Sequence, residues 1–478
     1  TQGYSSAASD VYKRQLLYMT HSRNYKTLRR FIVPALAGGA LAALAFAPTF
    51  GAEPIQANVP TQSISAPKAD VPNANTPKND VPRPDDVKTG EINEPTPHKE
   101  GDPSTFKGTS VISESQTLEH QRFDNTTSAQ NAFIGKNKAT IIIDSSVFDK
   151  QGNTTNDDNS NFRGQNAVVL GIEGSQTSIK NSNITSNSIG SNAVFATGEG
   201  SVINVENTNI HTKGDSSRGL DATYKGTVNG KNLTITTEGA HSATLATDRG
   251  EGTITAEAAK LTTSGAGSPV IYSTGNITAN SINGVANKSE IGVVEGKNSI
   301  TLTNSNVTGY HDNGFMLYQS FSGDAESGIA RLKAENNTLT THGTGAFIYV
   351  NNTTAEADLT GNTILMPNTT TLVKAAADSR WGKDGENGGH LTLRASNQEL
   401  NGNIVADSIS TVSLDMTNGS SLVGAVNTNN TAKEITMKLS KDSTWTLTGD
   451  SYVKSLTNED TTNSNIHLNG YKLVVADK

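Results

Sequence analysis

Two short strings place a serine directly after Gly-Asp, as around the nucleophile of many serine proteases. Residues 214–217 read Gly-Asp-Ser-Ser, and residues 449–452 read Gly-Asp-Ser-Tyr. Neither string has the glycine that completes a Gly-Asp-Ser-Gly pattern, and the sequence offers no separate catalytic domain before residue 106. We therefore expect a turn at the first string and a structural segment at the second, and no catalytic residue at either.

A pair of basic residues is the second candidate for chemistry. Arg331-Leu332-Lys333 resembles a substrate-binding triplet of polygalacturonases, which cleave acidic glycans with paired carboxylates. The triplet precedes His342 instead of following it, and no Asn-Thr-Asp or Asp-Asp pair lies upstream within the repeats. Asp221 aligns with Leu245 one repeat later. A solvated charged strand is the favoured interpretation, and a polysaccharide-degrading enzyme is the alternative.

Metal, cofactor and nucleic-acid chemistry have little support. The chain has no cysteine, and its four candidate histidines occupy different offsets in different repeats. These are His211, His241, His311 and His342. The net charge of −8 offers no basic surface for phosphates. We expect no cofactor, no metal and no nucleic-acid partner.

The first hundred residues divide into three segments. Residues 1–18 resemble a translated sequencing adapter and are excluded from fold reasoning. In residues 19–52 a basic stretch leads into an apolar run of 16 residues, shorter than the about 20 that a membrane-spanning helix needs, which predicts an export signal peptide. Residues 53–105 contain ten of the fourteen prolines and few large apolar residues, which predicts a disordered spacer.

Residues 129–367 repeat a short polar-apolar-polar triplet at separations of 21 to 32 residues. Another small or apolar residue lies five positions before each central residue, and a third apolar stretch precedes both. The central residues are Ile184, Ile210, Leu233, Leu261, Ile282, Val307, Leu339 and Ile364. Their partners are Ile179, Val205, Val228, Ala256, Ile277, Leu302, Ala334 and Leu359.

This period and the three short strands in each unit predict an all-β fold, a right-handed parallel β-helix of about nine or more turns. Residues 106–390 would form the β-helix, with Asn and Thr side chains in ladders along the stack. A β-sandwich, or a string of immunoglobulin-like modules, is the competing fold, but it has no period of about 26 residues.

The stretch 391–478 carries the string Trp-Thr-Leu-Thr-Gly-Asp-Ser-Tyr-Val-Lys-Ser-Leu and later Gly-Tyr-Lys-Leu-Val-Val. It resembles the C-terminal capping segment of pertactin-like autotransporter passengers, a family secreted by the type V route. The resemblance implies a β cap that serves as the folding nucleus. Its matching residues are Trp445, Leu447, Gly449, Ser451, Val453, Leu456, Tyr471 and Leu473.

The resemblance also implies export to the bacterial cell surface or outer membrane, or release from it. A passenger would pass through its own C-terminal β-barrel with the outer-membrane assembly machinery as partner. No barrel sequence follows residue 478 here, and we expect that the gene is truncated.

The predicted function is non-enzymatic adhesion, aggregation or host contact, with a surface glycan or protein as the partner. A structural spike is a further alternative. The expected contact loops are the irregular inserts 150–163, 318–328 and 379–390, because loops on a rigid scaffold tolerate variation. The candidate contact residues are Tyr318, Phe321, Arg380 and Trp381.

Overall fold

The computed structural model describes residues 100–476, which form a parallel β-solenoid. The predicted signal peptide and nearly all of the predicted spacer lie outside the described residues. The only helices in the described range are a 3-10 turn, Pro103–Thr105, and α1, Asp157–Arg163. The predicted β-helix is confirmed.

Strands are numbered β1 to β42 in chain order, and successive turns place them in the same sheets with parallel pairing. The first sheet has twelve strands. They are β1 (Gly108–Ile112), β4 (Asn131–Gly135), β7 (Val169–Gly171), β10 (Val194–Thr197), β13 (Leu220–Thr223), β16 (Leu245–Thr247), β19 (Ile271–Ser273), β22 (Gly292–Glu295), β25 (Phe315–Tyr318), β28 (Ala346–Asn351), β31 (Thr371–Ala375) and β34 (Asn403–Ala406).

The second sheet has fourteen strands and extends about 60 Å along the solenoid axis, given a spacing of about 4.8 Å. They are β2 (Gln116–Glu119), β5 (Thr140–Asp144), β8 (Gln176–Lys180), β11 (Val202–Glu206), β14 (Thr227–Lys231), β17 (Thr253–Glu257), β20 (Asn276–Asn280), β23 (Ser299–Thr303), β26 (Ile329–Glu335), β29 (Thr353–Thr360), β32 (Gly389–Ser396), β35 (Thr411–Thr417), β37 (Glu434–Leu439) and β40 (Ser455–Asn458).

The third sheet has ten strands, and two small sheets follow it near the C-terminal end. The third sheet consists of β3 (Arg122–Asn125), β6 (Val147–Lys150), β9 (Asn183–Ser186), β12 (Asn209–Thr212), β15 (Thr234–Thr237), β18 (Lys260–Thr263), β21 (Asn283–Ala286), β24 (Asn306–Gly309), β27 (Thr338–Thr341) and β30 (Thr363–Leu365). The small sheets pair β33 (Glu399–Asn401), β36 (Ser421–Val423), β38 (Thr444–Thr446) and β41 (Ile466–His467), and β39 (Ser451–Val453) with β42 (Leu473–Val475).

Strands of the second and third sheets alternate buried and solvent-facing residues, as the period-two pattern requires. In β17, for example, Ile254 and Ala256 are buried while Thr255 and Glu257 are exposed. First-sheet strands such as β10, β13, β22 and β25 are buried at every position. From β4 to β28 the first sheet is therefore covered on its outer face as well as its inner face, whereas β1, β31 and β34 have exposed positions.

Left-handed corner residues join the second and third sheets at nearly every turn. Asn181, Asn207 and Asn232 have φ of 49°, 48° and 51°, a conformation that asparagine tolerates better than most residues. Their side chains form a ladder, because the amide nitrogen of Asn232 donates to Asn207 Oδ1 at 2.7 Å and that of Asn207 donates to Asn181 Oδ1 at 3.3 Å. The predicted side-chain ladders are confirmed here.

The predicted repeat is wrong by two residues in one of its turns. Ile210 pairs with Ile235 and not with Leu233, and Val205 pairs with Gly230 and not with Val228. The inward position of Gly230 is filled by a neighbour, since a Cβ there would lie 2.7 Å from Leu233 Cδ1. The hydrophobic pattern therefore selected Val228 and, with it, Leu233, each two positions before the true inward residue.

The same error recurs two turns later. Leu261 pairs with Gly284 instead of Ile282, and Ala256 pairs with Ala279 instead of Ile277. At Gly284 an added Cβ would lie 2.9 Å from Val307 Cγ1, so the side chain of the next turn fills the space. Small inward residues hide the register from a pattern that scores only large apolar side chains.

Candidate functional site

Four segments lie over the outer face of the first sheet, and we call them together the cover. They are the arm (residues 100–106), helix α1, loop 319–328 and loop 376–388. Asn156 caps α1 with its side chain, which accepts from the Asn159 amide, and Gly164 ends the helix at φ 75°. Beneath this part of the cover, Phe106 packs against the apolar cluster that contains Leu170 and Phe195.

Arg218 is buried beneath the cover and joins three elements. It is 1% exposed, donates to Asn161 Oδ1 of α1 at 2.9 Å, and contacts Asp248 Oδ2 at 3.1 Å and Asp221 Oδ2 at 3.5 Å. Both carboxylates lie on the outer face of the first sheet, on adjacent turns. Arg218 therefore supplies the cation that allows two carboxyl groups to be buried together.

Arg249 links several segments of the cover to one another. It forms ion pairs with Glu100 of the arm and Asp324 of loop 319–328, and its guanidinium carbon lies 3.9 Å from the Phe162 ring centroid of α1. Glu100 also accepts from the Tyr224 hydroxyl at 2.6 Å. One arginine thus contacts three of the four segments of the cover.

Glu295 is buried without any exposed surface. Its Oε2 accepts from the hydroxyls of Tyr272 at 2.7 Å and Tyr318 at 2.9 Å, and the Ser320 hydroxyl donates to Oε1. Three hydroxyl groups from two turns and one loop therefore solvate this carboxylate in place of water.

The buried carboxyl groups have altered acidity. Burial raises the pKa of Asp221 to about 7, against the effect of Arg218, and burial also raises the pKa of Asp248 and of Glu295. Burial acts the same way on Glu100, but Tyr224, Arg249 and Arg163 outweigh it and lower its pKa. The carboxylates of this cluster are enclosed by the cover, so a substrate in solvent does not reach them.

The outer face of the second sheet is open. Its side chains stand in columns along the axis, and a groove of about 520 Å³ crosses strands β8 to β20. Ion pairs between successive turns edge this groove, with Lys180 and Glu206 at 3.6 Å and Lys231 and Glu257 at 3.7 Å.

Further along the same face the charges alternate in sign from turn to turn. Register places Lys333, Asp358, Arg394, Asp415 and Lys438 in one column. Arg394 contacts Asp358 at 3.1 Å and Lys438 contacts Asp415 at 3.9 Å. The open face is thus rich in charge and has little net charge of its own.

The four predicted contact residues differ in how far they are exposed to solvent. Tyr318 and Trp381 are 0% and 6% exposed, and their ring centroids lie 5.7 Å apart inside the cover. Phe321 is 63% exposed, whereas Arg380 forms a two-bond ion pair with Asp378 at 2.8 and 2.7 Å. Only Phe321 and the partly exposed Arg380 are presented to a partner.

Residues 391–476 continue the solenoid. Strands β32, β35, β37 and β40 extend the second sheet. Trp445 is fully buried between Leu422 and Ile466, and its indole nitrogen donates to the Gly424 carbonyl at 3.0 Å.

The other residues predicted for the folding nucleus lie in the same C-terminal turns as Trp445. Leu447 and Val453 are buried in the main core, and Leu456 and Leu473 pack against it. The Ser451 hydroxyl donates to the Gly449 carbonyl at 3.1 Å and accepts from the Val426 amide at 3.0 Å. Tyr471 is 43% exposed.

The remaining motifs have structural surroundings. Ser216 lies in a turn at φ 52°. Arg331 contacts Glu356 at 3.8 Å on the open face, and His342 stacks on Tyr310 with ring centroids 4.5 Å apart. Asp221 pairs in register with Ala246, so its predicted alignment with Leu245 is wrong by one residue. The error matters because it reverses which face the neighbour occupies.

Sequence reasoning missed most of the cover. Glu100, Arg218, Arg249, Glu295 and Asp324 are far apart in sequence and follow no motif. One signal was present: Asp221 and Glu295 are charged residues within otherwise apolar first-sheet segments. Charges there predict partners on a covering element, but they do not say which element.

No protein-family model and no curated protein matches this chain. Within residues 100–476, no helix has the length and apolar character needed to cross a membrane. In the same range, no set of three His, Asp or Glu residues is arranged to hold a metal ion.

Proposed function

We propose that the chain is an autotransporter-like passenger, exported to act outside the cell as a non-enzymatic rod that binds a glycan or protein on another surface. The observation that carries the proposal is the difference between its faces. The first sheet is covered from β4 to β28 and its carboxylates are buried, whereas the second sheet exposes polar side chains over fourteen turns in register. A long repeated surface suits contact with an extended partner.

The C-terminal string supports the family part of the proposal. Trp445, Leu447 and Val453 are buried in the last turns, and Leu456 and Leu473 pack against them, where a capping segment would complete the core. A parallel solenoid needs such an end, because an open edge invites pairing with other chains.

The test uses the full chain coupled to fluorescent beads. The beads are incubated with bacterial cells and epithelial monolayers, and the soluble chain is incubated with polygalacturonate and with neutral polysaccharides to measure release of reducing ends. We expect adherence above that of albumin-coated beads, without release. Absence of adherence, or turnover of any polysaccharide, would overturn the proposal.

A further inference from the structure

The groove on the second sheet has a floor of amide and hydroxyl groups. Register aligns Ser178, Asn204, Asn229, Thr255 and Thr278 on five successive turns. The residues between them along each strand point into the core, so the floor is polar along its whole length. At about 4.8 Å per turn, the five groups span roughly 19 Å.

Hydrogen bonds run along this floor in one direction. The Thr255 hydroxyl donates to Asn229 Oδ1 at 2.7 Å, and the Asn229 amide nitrogen donates to Asn204 Oδ1 at 2.9 Å. Within residues 100–476, the Asn204 amide nitrogen and the hydroxyls of Ser178 and Thr278 have no partner. Hydrogen bonds therefore orient Asn204, Asn229 and Thr255, and the floor keeps donors and acceptors open to solvent.

The charges beside the floor cancel. Each of the two lysines pairs with a glutamate on the next turn, so neither cation is left for an anionic ligand. A peptide is also a poor fit, because peptides usually add to the edge of a sheet and this groove lies on a face. A neutral ligand rich in hydroxyl groups matches both the charge and the hydrogen-bonding pattern.

We propose that this groove binds a neutral, linear glycan that lies along the solenoid axis. Sugar hydroxyls both donate and accept, so they pair with amides and hydroxyls presented at every turn. No aromatic side chain lines the groove, so affinity for a short oligomer is weak, on the order of 1 mM. This inference rests on the proposed function, since it names the ligand class for the same open face.

The experiment titrates the full chain with cellotetraose, maltotetraose and chitotetraose, each followed by saturation-transfer NMR. Tetragalacturonate serves as the anionic comparison. We expect saturable binding of at least one neutral tetramer, with tetragalacturonate at least tenfold weaker. If no neutral tetramer binds, or if tetragalacturonate binds most tightly, the inference is overturned.

Asn229→Leu breaks the hydrogen-bonded floor and should weaken binding at least tenfold. Asn209→Leu is the matched control, because Asn209 is also a strand asparagine that donates to an asparagine one turn earlier, at 3.2 Å, but it lies on the third sheet. Equal loss in both variants contradicts the assignment. Thr255→Val provides a second test if Asn229→Leu does not fold.

The two proposals fail in different ways. If the beads adhere but no tetramer binds, the glycan-binding role of the groove is rejected and the adhesive function is retained. If a tetramer binds but the beads do not adhere to cells, the glycan-binding role of the groove is retained and the adhesive function is rejected.

Discussion

Asp221 has no exposed surface, and its carboxyl group bonds weakly to Arg218 at 3.5 Å. Its folded pKa of about 7 lies above the ordinary value of 3.8, so protonation favours the folded state. This stabilisation is complete below about pH 4 and is lost as the pH rises through 7. The shift corresponds to roughly 4 kcal/mol at most.

We predict that Asp221→Asn raises the denaturation midpoint at pH 8.5 and changes it little at pH 4. The amide keeps the size of the side chain and cannot ionise. Urea unfolding at both pH values measures the effect, with the exposed Asp384→Asn as control. A variant that is less stable than the native chain at pH 8.5 would show that the ionised carboxylate stabilises Arg218.

Asn207 combines a left-handed backbone with two ladder hydrogen bonds. We predict that Asn207→Ala destabilises the chain by about 1–3 kcal/mol, from backbone strain and lost bonds, and that Asn207→Gly loses less. Thermal unfolding of both variants separates the two causes. Equal losses would mean that the backbone conformation contributes nothing.

The corner asparagines show which side-chain contacts can be predicted from the sequence. Asparagine recurs in the sequence at these corners, and the ladder was predictable from it. The partners of Arg218 and Arg249 were not, because ion pairs across turns and loops depend on distances that no local pattern contains.

The stability of the cover depends on the side chain of Arg249. We predict that Arg249→Gln speeds hydrogen exchange in residues 100–106, in α1 and in loop 319–328, because it removes ion pairs to Glu100 and Asp324. Exchange in the second sheet should stay unchanged. Arg394→Gln, on the open face, is the control and should leave the cover protected.

An effect confined to loop 319–328 would contradict the proposed role of Arg249 in holding all three segments.

At this scale the strands were predictable, because alternating burial leaves a period-two pattern. The turns containing Gly230 and Gly284 were misplaced because neighbouring side chains fill the space that a larger inward residue would take. The cover was foreseen only as loop inserts, since nothing local indicates that an insert lies over a sheet.

The whole molecule is a stack in which each turn contacts its neighbours, so the last turns can template the rest. We predict that Trp445→Ala costs about 3–5 kcal/mol locally and slows refolding more than Phe133→Ala, a cavity variant at the opposite end. Stopped-flow refolding of both variants measures this. Equal refolding rates would contradict a C-terminal folding nucleus.

At the scale of the molecule, the period predicted the solenoid and about nine turns as a minimum. The estimate of about nine came from residues 129–367, whereas the second sheet continues on both sides of that range to fourteen strands. Of the five additional strands, β2 and β40 are short and largely solvent-facing, so their apolar signal is weak. Strands β32, β35 and β37 are longer and alternate buried residues regularly.

Carboxyl labelling of the full chain tests most directly whether the carboxylates on the first sheet are covered while the second sheet is open. The chain is treated with a carbodiimide and glycine ethyl ester, both free and bound to the cells to which it adheres. We predict labelling of Glu206 and Glu257 in the free chain, protection of both on binding, and no labelling of Asp221 or Asp248 in either state. Labelling of Asp221 and Asp248 in the free chain, or protection limited to the cover, would contradict this arrangement.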